Sequence, residues 1–249
     1  MKISVVTVVW NRHETVAESI CSTQAQTWED REHVIQDGGS TDGTLEIIRA
    51  LADDRTRLES ERDGGIYDAI NCGIFRATGD VIGVMHSDDT FANNRVLETI
   101  ANAMADPGLD GVYGDLDYVS ASDPSKILRH WKAGEYHPRL LKRGWMPPHP
   151  TLYLRRDVFE KWGAYDTQYN IAADYDAMLR WLAKGGVRLA YIPEVLVKMR
   201  VGGESNSSLA NIWMKSCEDY KALVRNEVGG IRTLIWKNIS KIPQFLRKE

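Results

Sequence analysis

Apolar runs and amphipathic stretches alternate along the chain. Ile3 to Val9 is apolar except for Ser4 and Thr7, the pattern of a strand covered on both faces. His33 to Gln36, Arg57 to Glu61 and Val81 to Met85 are further short runs, the last bounded by Gly79-Asp80 and by Ser87-Asp88-Asp89. Between them, apolar residues recur at helical spacing. Val16, Ala17 and Ile20 mark a helix over Glu14 to Thr23, and Leu45, Ile48 and Leu51 one over Thr44 to Ala52. Ile66 to Ala77 and Val96 to Met104 read as two more, the second stopped by Asp106-Pro107-Gly108 before a strand at Gly111 to Asp115. Alternation at this spacing predicts βαβ units, and so an α/β fold: a mostly parallel sheet with helices on both faces.

Beyond residue 120 the pattern is less regular. Lys126 to Trp131 and Thr151 to Leu154 read as strands, and Asp157 to Trp162 as a short helix. Trp145 to Pro150 is proline-rich, which excludes helix and central strand. Asp174 to Lys184 is an amphipathic helix, Val187 to Ile192 and Val195 to Arg200 are two strands around Pro193, and Leu209 to Arg225 is a long helix. The expected organisation is an α/β half over 1–120, a second half of the same domain over 121–227, and a basic amphipathic tail over 228–249. In that tail Leu234, Ile235, Trp236, Ile239, Ile242, Phe245 and Leu246 alternate with Arg232, Lys237, Lys241, Arg247 and Lys248. Such a segment suits a membrane interface. It equally suits packing on the domain's flank, and Pro243 interrupts it.

Net charge of -4 removes the electrostatic case for a nucleic-acid partner. Cys21, Cys72 and Cys217 are odd in number and far apart, which argues against a disulfide framework or zinc site and for a reducing, cytoplasmic setting. The amino-terminal apolar run is too short for a secretory signal, and no stretch has the roughly twenty apolar residues of a spanning helix.

Asp88 and Asp89 end an apolar strand. In open α/β sheets, ligands bind beyond the carboxyl ends of the strands, and paired carboxylates there suit a hard divalent cation that bridges to phosphate. Capping of the next helix, near Asn93, is the plainer alternative. Asp37 and Asp115 with Asp117 are expected on the same edge, where gathered acids need a cation or donors. The P-loop and the Rossmann glycine fingerprint are both missing, which disfavours nucleotide triphosphatases and dinucleotide oxidoreductases.

Val5 to Asn11, Gln36-Asp37-Gly38-Gly39-Ser40-Thr41-Asp42-Gly43-Thr44, Asp63-Gly64-Gly65-Ile66-Tyr67-Asp68-Ala69-Ile70-Asn71 and Ser87-Asp88-Asp89, in that order, resemble family 2 glycosyltransferases of the GT-A fold. The likeness covers about the first 120 residues closely. Pro148-His149-Pro150, Ile171 to Asp176 and Gly202-Gly203-Glu204-Ser205 extend it. Within the family the set is similar to bacterial enzymes that add one sugar to a lipid-linked oligosaccharide for surface polysaccharide.

The resemblance implies a nucleotide-sugar donor, a UDP-sugar, with Mn2+ or Mg2+ as cofactor. Thr7, Trp10 and Asn11 fall at the donor site, with Trp10 near the uracil. Asp37 accepts a hydrogen bond from the base, and Asp68 and Asn71 touch donor nucleotide or sugar. Asp89 is the direct metal ligand, and Asp88 contacts ribose or a metal-bound water. Arg200 and Ser205 bind diphosphate. Asp174 matches the catalytic base. The family's Glu-Asp is Ala173-Asp174 here, which leaves Asp174 and Asp176 both open. His149, in its proline-locked loop, is placed with Asp176 on the acceptor side or near the metal. Each has a structural alternative: Trp10 as a core cover, Asp37 as an Asx turn, Asp68 and Asp174 as charges at helix starts, and Asp176 on a solvated face. His86 and the remaining histidines are read as structural. The implied activity is metal-dependent, inverting sugar transfer to a hydroxyl of a glycan or lipid-linked glycan, by a protein peripheral on the inner membrane face. The rivals are a sugar-nucleotide nucleotidyltransferase, for which Thr7 to Asn11 lacks a basic glycine-rich loop, and a non-catalytic nucleotide-sugar-binding module.

Overall fold

The computed structural model describes residues 1–201 and 209–239. In chain order its elements are β1 (Ile3–Val9), α1 (Val16–Gln24), β2 (Arg31–Asp37), α2 (Thr44–Leu51), β3 (Thr56–Ser60), α3 (Ile66–Arg76), β4 (Val81–His86), β5 (Thr90–Phe91), α4 (Val96–Ala103), β6 (Gly111–Val119), β7 (Ile127–Trp131), β8 (Tyr153–Arg155), α5 (Arg156–Trp162), α6 (Ala173–Leu179), β9 (Leu189–Arg200), α7 (Leu209–Arg225) and α8 (Ile231–Ile239). The strands form one sheet in the order β3-β2-β1-β4-β8-β6-β9-β5, with β7 also on β6.

The first four main strands are parallel, as their spacing predicts. The series does not run on from β4 to β6. The three-residue β8 lies between them, antiparallel to both, so the sheet is mixed rather than mostly parallel. Gly83 makes this possible: it pairs with Tyr153, and a Cβ there would overlap the Tyr153 ring. Two antiparallel steps restore direction, so β4 and β6 point the same way and their carboxyl ends share an edge.

Alternation along β1 sends its side chains to both faces. Val6 and Val8 join Ala69, Ile70 and Ile74 of α3 and Tyr175 and Met178 of α6. Ile3 and Val5 join Val96, Leu97 and Ile100 of α4, and Val9 joins Val16, Ile20 and Ile48 of α1 and α2.

Three local expectations are corrected. Pro193 does not divide two strands. β9 is continuous, and its register jumps from Ile192 opposite Gly114 to Val195 opposite Asp115, a bulge that takes up the proline. His149–Thr151 is a 3-10 turn, so the strand starts only at Tyr153. The helix of Asp174 changes to one π turn over Arg180–Lys184.

The tail's inner face packs on the domain. Thr233, Leu234 and Lys237 of α8 are buried. Lys237 pairs with Asp219 of α7 at 2.7 Å, and its ammonium sits 3.2 Å above the Tyr175 ring. One cation expected to face outward is therefore internal. Lys241, Ile242, Pro243, Phe245, Leu246, Arg247 and Lys248 lie outside the described residues, as do Gly202, Gly203, Glu204 and Ser205.

Candidate active site

The carboxyl edge of β1 to β3 is a pair of interlocked loops. Trp10 follows β1 and is 62% exposed, so it is no core cover. Asn11 adopts a left-handed φ of 51°. Its side-chain oxygen accepts the Thr41 N–H and its own N–H donates to Ser40 Oγ, both at 2.9 Å. Asp37 is fully buried. Its carboxylate accepts the N–H groups of Gly39 (3.2 Å) and Ser40 (3.1 Å) and the Ser60 hydroxyl (2.6 Å). Gly38 abuts the second Asp-Gly-Gly loop, where a Cβ would lie 2.7 Å from Asp63 Oδ2. Asp68 accepts the Gly64 N–H at 2.8 Å.

Three residues expected at the donor site have partners within the fold. Asp37 shapes its own loop as an Asx turn, its carboxylate held by two amides and the Ser60 hydroxyl. Thr7 is enclosed in mid-strand, bonded to His33 Nε2 at 2.8 Å, and does not reach the edge. Asn71 has both ends of its amide on the Tyr165 backbone, at 2.8 and 2.9 Å, which ties α3 to the segment before α6.

At the end of β4, Asp88 is half-buried and Asp89 buried. Neither caps a helix, because α4 starts at Val96 behind Arg95. Asp89 Oδ1 accepts the Arg200 N–H at 3.3 Å, and Oδ2 is buried with no partner. Burial and then Asp88 push the Asp89 carboxyl well above the ordinary carboxylate range, against the pull of Arg200. Arg200 closes β9 here, its guanidinium bonded to Glu18 of α1. A lone buried carboxylate oxygen beside a second carboxylate fits a divalent cation. Among the described residues no three His, Cys, Asp or Glu side chains gather around one such point. Asp88 and Asp89 are the side chains that would hold such an ion.

Asp174 is the second residue of α6 and half-buried. Its Oδ1 accepts the Tyr175 N–H at 2.8 Å and lies 3.4 Å from the Tyr67 hydroxyl. Asp176 points elsewhere. It is 1% exposed, accepts Asn226 Nδ2 at 2.9 Å and lies 3.7 Å from Arg180. It is not on a solvated face. His149 is buried, with Nε2 2.7 Å from the Tyr165 hydroxyl and its ring 5.7 Å from that of His86. Burial, then His86, holds its pKa down at about 3, so the imidazole is neutral.

His86 joins the parts. Burial lowers its pKa, while Asp88 and Asp174 both pull it upward. Asp88 and Asp174 are therefore both near enough to bias the charge of this one imidazole. Sequence reading set His86 aside, although its place directly before Ser87-Asp88-Asp89 was the signal. Glu218 of α7 carried no signal beyond a carboxylate on a helix. It accepts the N–H groups of Asn170, Ile171 and Ala172 at 2.9, 2.8 and 2.9 Å, which fixes the approach to Asp174. Asp115 and Asp117 leave the acidic rim. β6 continues to Val119, so both lie within a strand; Asp117 bonds His130 at 2.7 Å, and Asp115 accepts from Ala133 N–H (2.8 Å) and Tyr191 OH (2.7 Å).

Comparison with known proteins gives the family. The glycosyl transferase family 2 model matches residues 4–163. An uncharacterized glycosyltransferase of Mycobacterium tuberculosis is 31% identical over 188 residues, covering 72% of this chain and 68% of its own. A PGL/p-HBAD biosynthesis glycosyltransferase of Mycobacterium bovis is 30% identical over 199 residues, covering 78% and 75%. Among solved structures, S. aureus TarS 1-349 in complex with UDP superposes with a TM-score of 0.67 at 17% identity, over 99% of this chain and 71% of that one. The mannosyltransferase PcManGT from Pyrobaculum calidifontis, in complex with GDP-Man and Mn2+, gives 0.64 at 17% identity, over 99% and 76%. With its GT-A fold and its match over more than half its length, the chain belongs to glycosyltransferase family 2 and is a glycosyltransferase.

Proposed function

We propose that the protein transfers a sugar, with inversion, from a UDP-sugar to a hydroxyl of a lipid-linked glycan, using Mn2+ or Mg2+. One observation carries this reading: the buried Oδ2 of Asp89 has no partner, and Asp88 stands beside it just past the carboxyl end of β4. A divalent ion held by Asp88 and Asp89 supplies charge to offset the leaving diphosphate. The chain's own residues do the rest. Trp10 offers a flat, exposed face for the base. Asp174 takes the acceptor's hydroxyl proton as that oxygen bonds the anomeric carbon. The bond from that carbon to the diphosphate breaks on the opposite side, and its electron pair leaves on UDP. Residues 1–120 hold the donor in this reading, and 121–227 meet the acceptor.

The UDP, UDP-GlcNAc, and GDP-Man with Mn2+ bound in the structural neighbours support a nucleotide-sugar donor and a metal. No helix among the described residues is long and apolar enough to cross a membrane; the reading places the protein peripherally on the inner face. The test is UDP release from a panel of UDP- and GDP-sugars, with and without manganese, by wild type, Asp89→Ala and Asp174→Asn. Both variants are expected to lose turnover while Asp174→Asn keeps donor binding. Near wild-type turnover in both would end the reading.

A further inference from the structure

α7 turns one side inward and leaves an apolar stripe on the other. Glu218, Asp219, Ala222 and Leu223 are buried, whereas Trp213, Tyr220 and Val224 are exposed, Trp213 by 73%. Their spacing of seven and four puts them on one helix face. α8 repeats the arrangement, with Ile231, Ile235, Trp236 and Ile239 exposed. The two faces adjoin at the turn, where a Cβ on Gly230 would lie 3.9 Å from the Tyr220 ring. A joined apolar surface of this kind marks a contact with something else.

Its charges identify the occupant. Lys221 and Arg232 are exposed on the same two helices, with Glu227 the exposed acid of the turn. On a chain of net charge -4, this local excess of cations is a departure from the average surface. Exposed tryptophans among aliphatic residues with a cationic border match a bilayer interface rich in anionic lipid.

We infer that the joined outer faces of α7 and α8 dock on an anionic lipid bilayer. The inference deepens the reading above, since it names where a lipid-borne acceptor would be met, and docking itself requires no turnover. The surface shifts the membrane contact from the tail alone to a helix pair. The opposite side of α7 carries Glu218, whose contacts hold the segment leading to Asp174. The bilayer would thus lie about one helix diameter, ~10 Å, from that segment.

The test is flotation of the full chain with vesicles of phosphatidylcholine alone or mixed with phosphatidylglycerol. Wild type is expected to float with the mixed vesicles and not with the neutral ones. Trp213→Ser with Trp236→Ser, and separately Lys221→Glu with Arg232→Glu, are each expected to lower the bound fraction roughly ten-fold or more. Both variants alter exposed side chains, and unchanged melting curves would exclude misfolding. Both are expected to transfer sugar to a soluble glycan acceptor at the wild-type rate. Absence of transfer by wild type would count against the catalytic reading alone, while flotation decides the docking. No flotation with anionic vesicles, or wild-type flotation by both variants, overturns the inference. So does a dimer that the tryptophan substitutions dissociate without any vesicle binding, which would assign the face to a second copy.

Discussion

The carboxylate of Glu218 in α7 accepts the amide N–H of Ala172 at 2.9 Å, directly before the helix that carries Asp174. The same carboxylate takes the N–H groups of Asn170 and Ile171, so one buried anion orders three consecutive amides. Hydrogen bonds to a charged acceptor are each worth roughly 1.5–3 kcal/mol. Glu218→Gln turns a donor toward those amides and is expected to cost about 2 kcal/mol of stability. If Glu218 positions the base, kcat falls about ten-fold while the donor's KM stays near wild type. Equal losses in donor binding and kcat would reduce Glu218 to a general structural role.

A second prediction concerns Asp89 without its ligands. A buried carboxylate oxygen with no partner is costly, and Asp88 beside it adds repulsion. Asp89→Asn is therefore expected to raise the thermal midpoint of the ligand-free protein by about 2–4 °C per kcal/mol relieved. Transfer should be lost. Manganese with UDP should then stabilise wild type and leave the Asn variant unmoved. A lowered midpoint in the ligand-free variant would count against Asp89 as a cation ligand.

Much of this was legible in the sequence, and the exceptions have physical causes. β1 was legible end to end because a strand buried on both faces is an unbroken apolar run. β8 was legible as a strand near Thr151 to Leu154, but its antiparallel place between β4 and β6 was not, because it depends on Gly83 meeting Tyr153. Asp174 and Asp176 look interchangeable in sequence, yet two residues on a helix point to nearly opposite sides; one faces Tyr67 and the other Asn226. Lys237 reads as a surface cation until Asp219 and Tyr175 enclose it. Asp37 is recognisable as an important loop acid, but the choice between ligand and Asx turn depends on burial, which no spacing reveals.

Trp10 offers the cleanest separation of binding from folding. It is exposed, so Trp10→Ala removes little packing and should leave the melting midpoint within about 2 °C, since surface changes are usually within ±0.5 kcal/mol. An aromatic stacking contact is worth roughly 0.5–1.5 kcal/mol. The donor's KM is therefore expected to rise about two- to ten-fold with kcat retained, as read by initial rates over a donor titration. An unchanged KM would remove Trp10 from the donor site.

Acid sensitivity follows from His33, which is buried between strands against Thr7. Burial is the main cause that lowers its pKa from 6.5 to about 4, with Asp53 opposing and Arg31 assisting. The folded state keeps the ring neutral, whereas the unfolded chain protonates it near pH 6.5. Stability from this group is therefore complete above about pH 6.5 and declines as pH falls toward 4, by up to about 3 kcal/mol. His149, held down at about 3, acts in the same direction. Glu32 enters only later. Burial raises its pKa, but Lys2, Ser4 and Thr78 outweigh that and hold it at about 2, so its contribution fades only as pH drops below 4.5. Urea midpoints measured from about pH 7.5 down to 4.5 should thus fall through the histidine window. His33→Gln, which cannot take up a proton there, should flatten that slope by roughly half. A level wild-type profile across this range would show that these rings are protonated equally in both states.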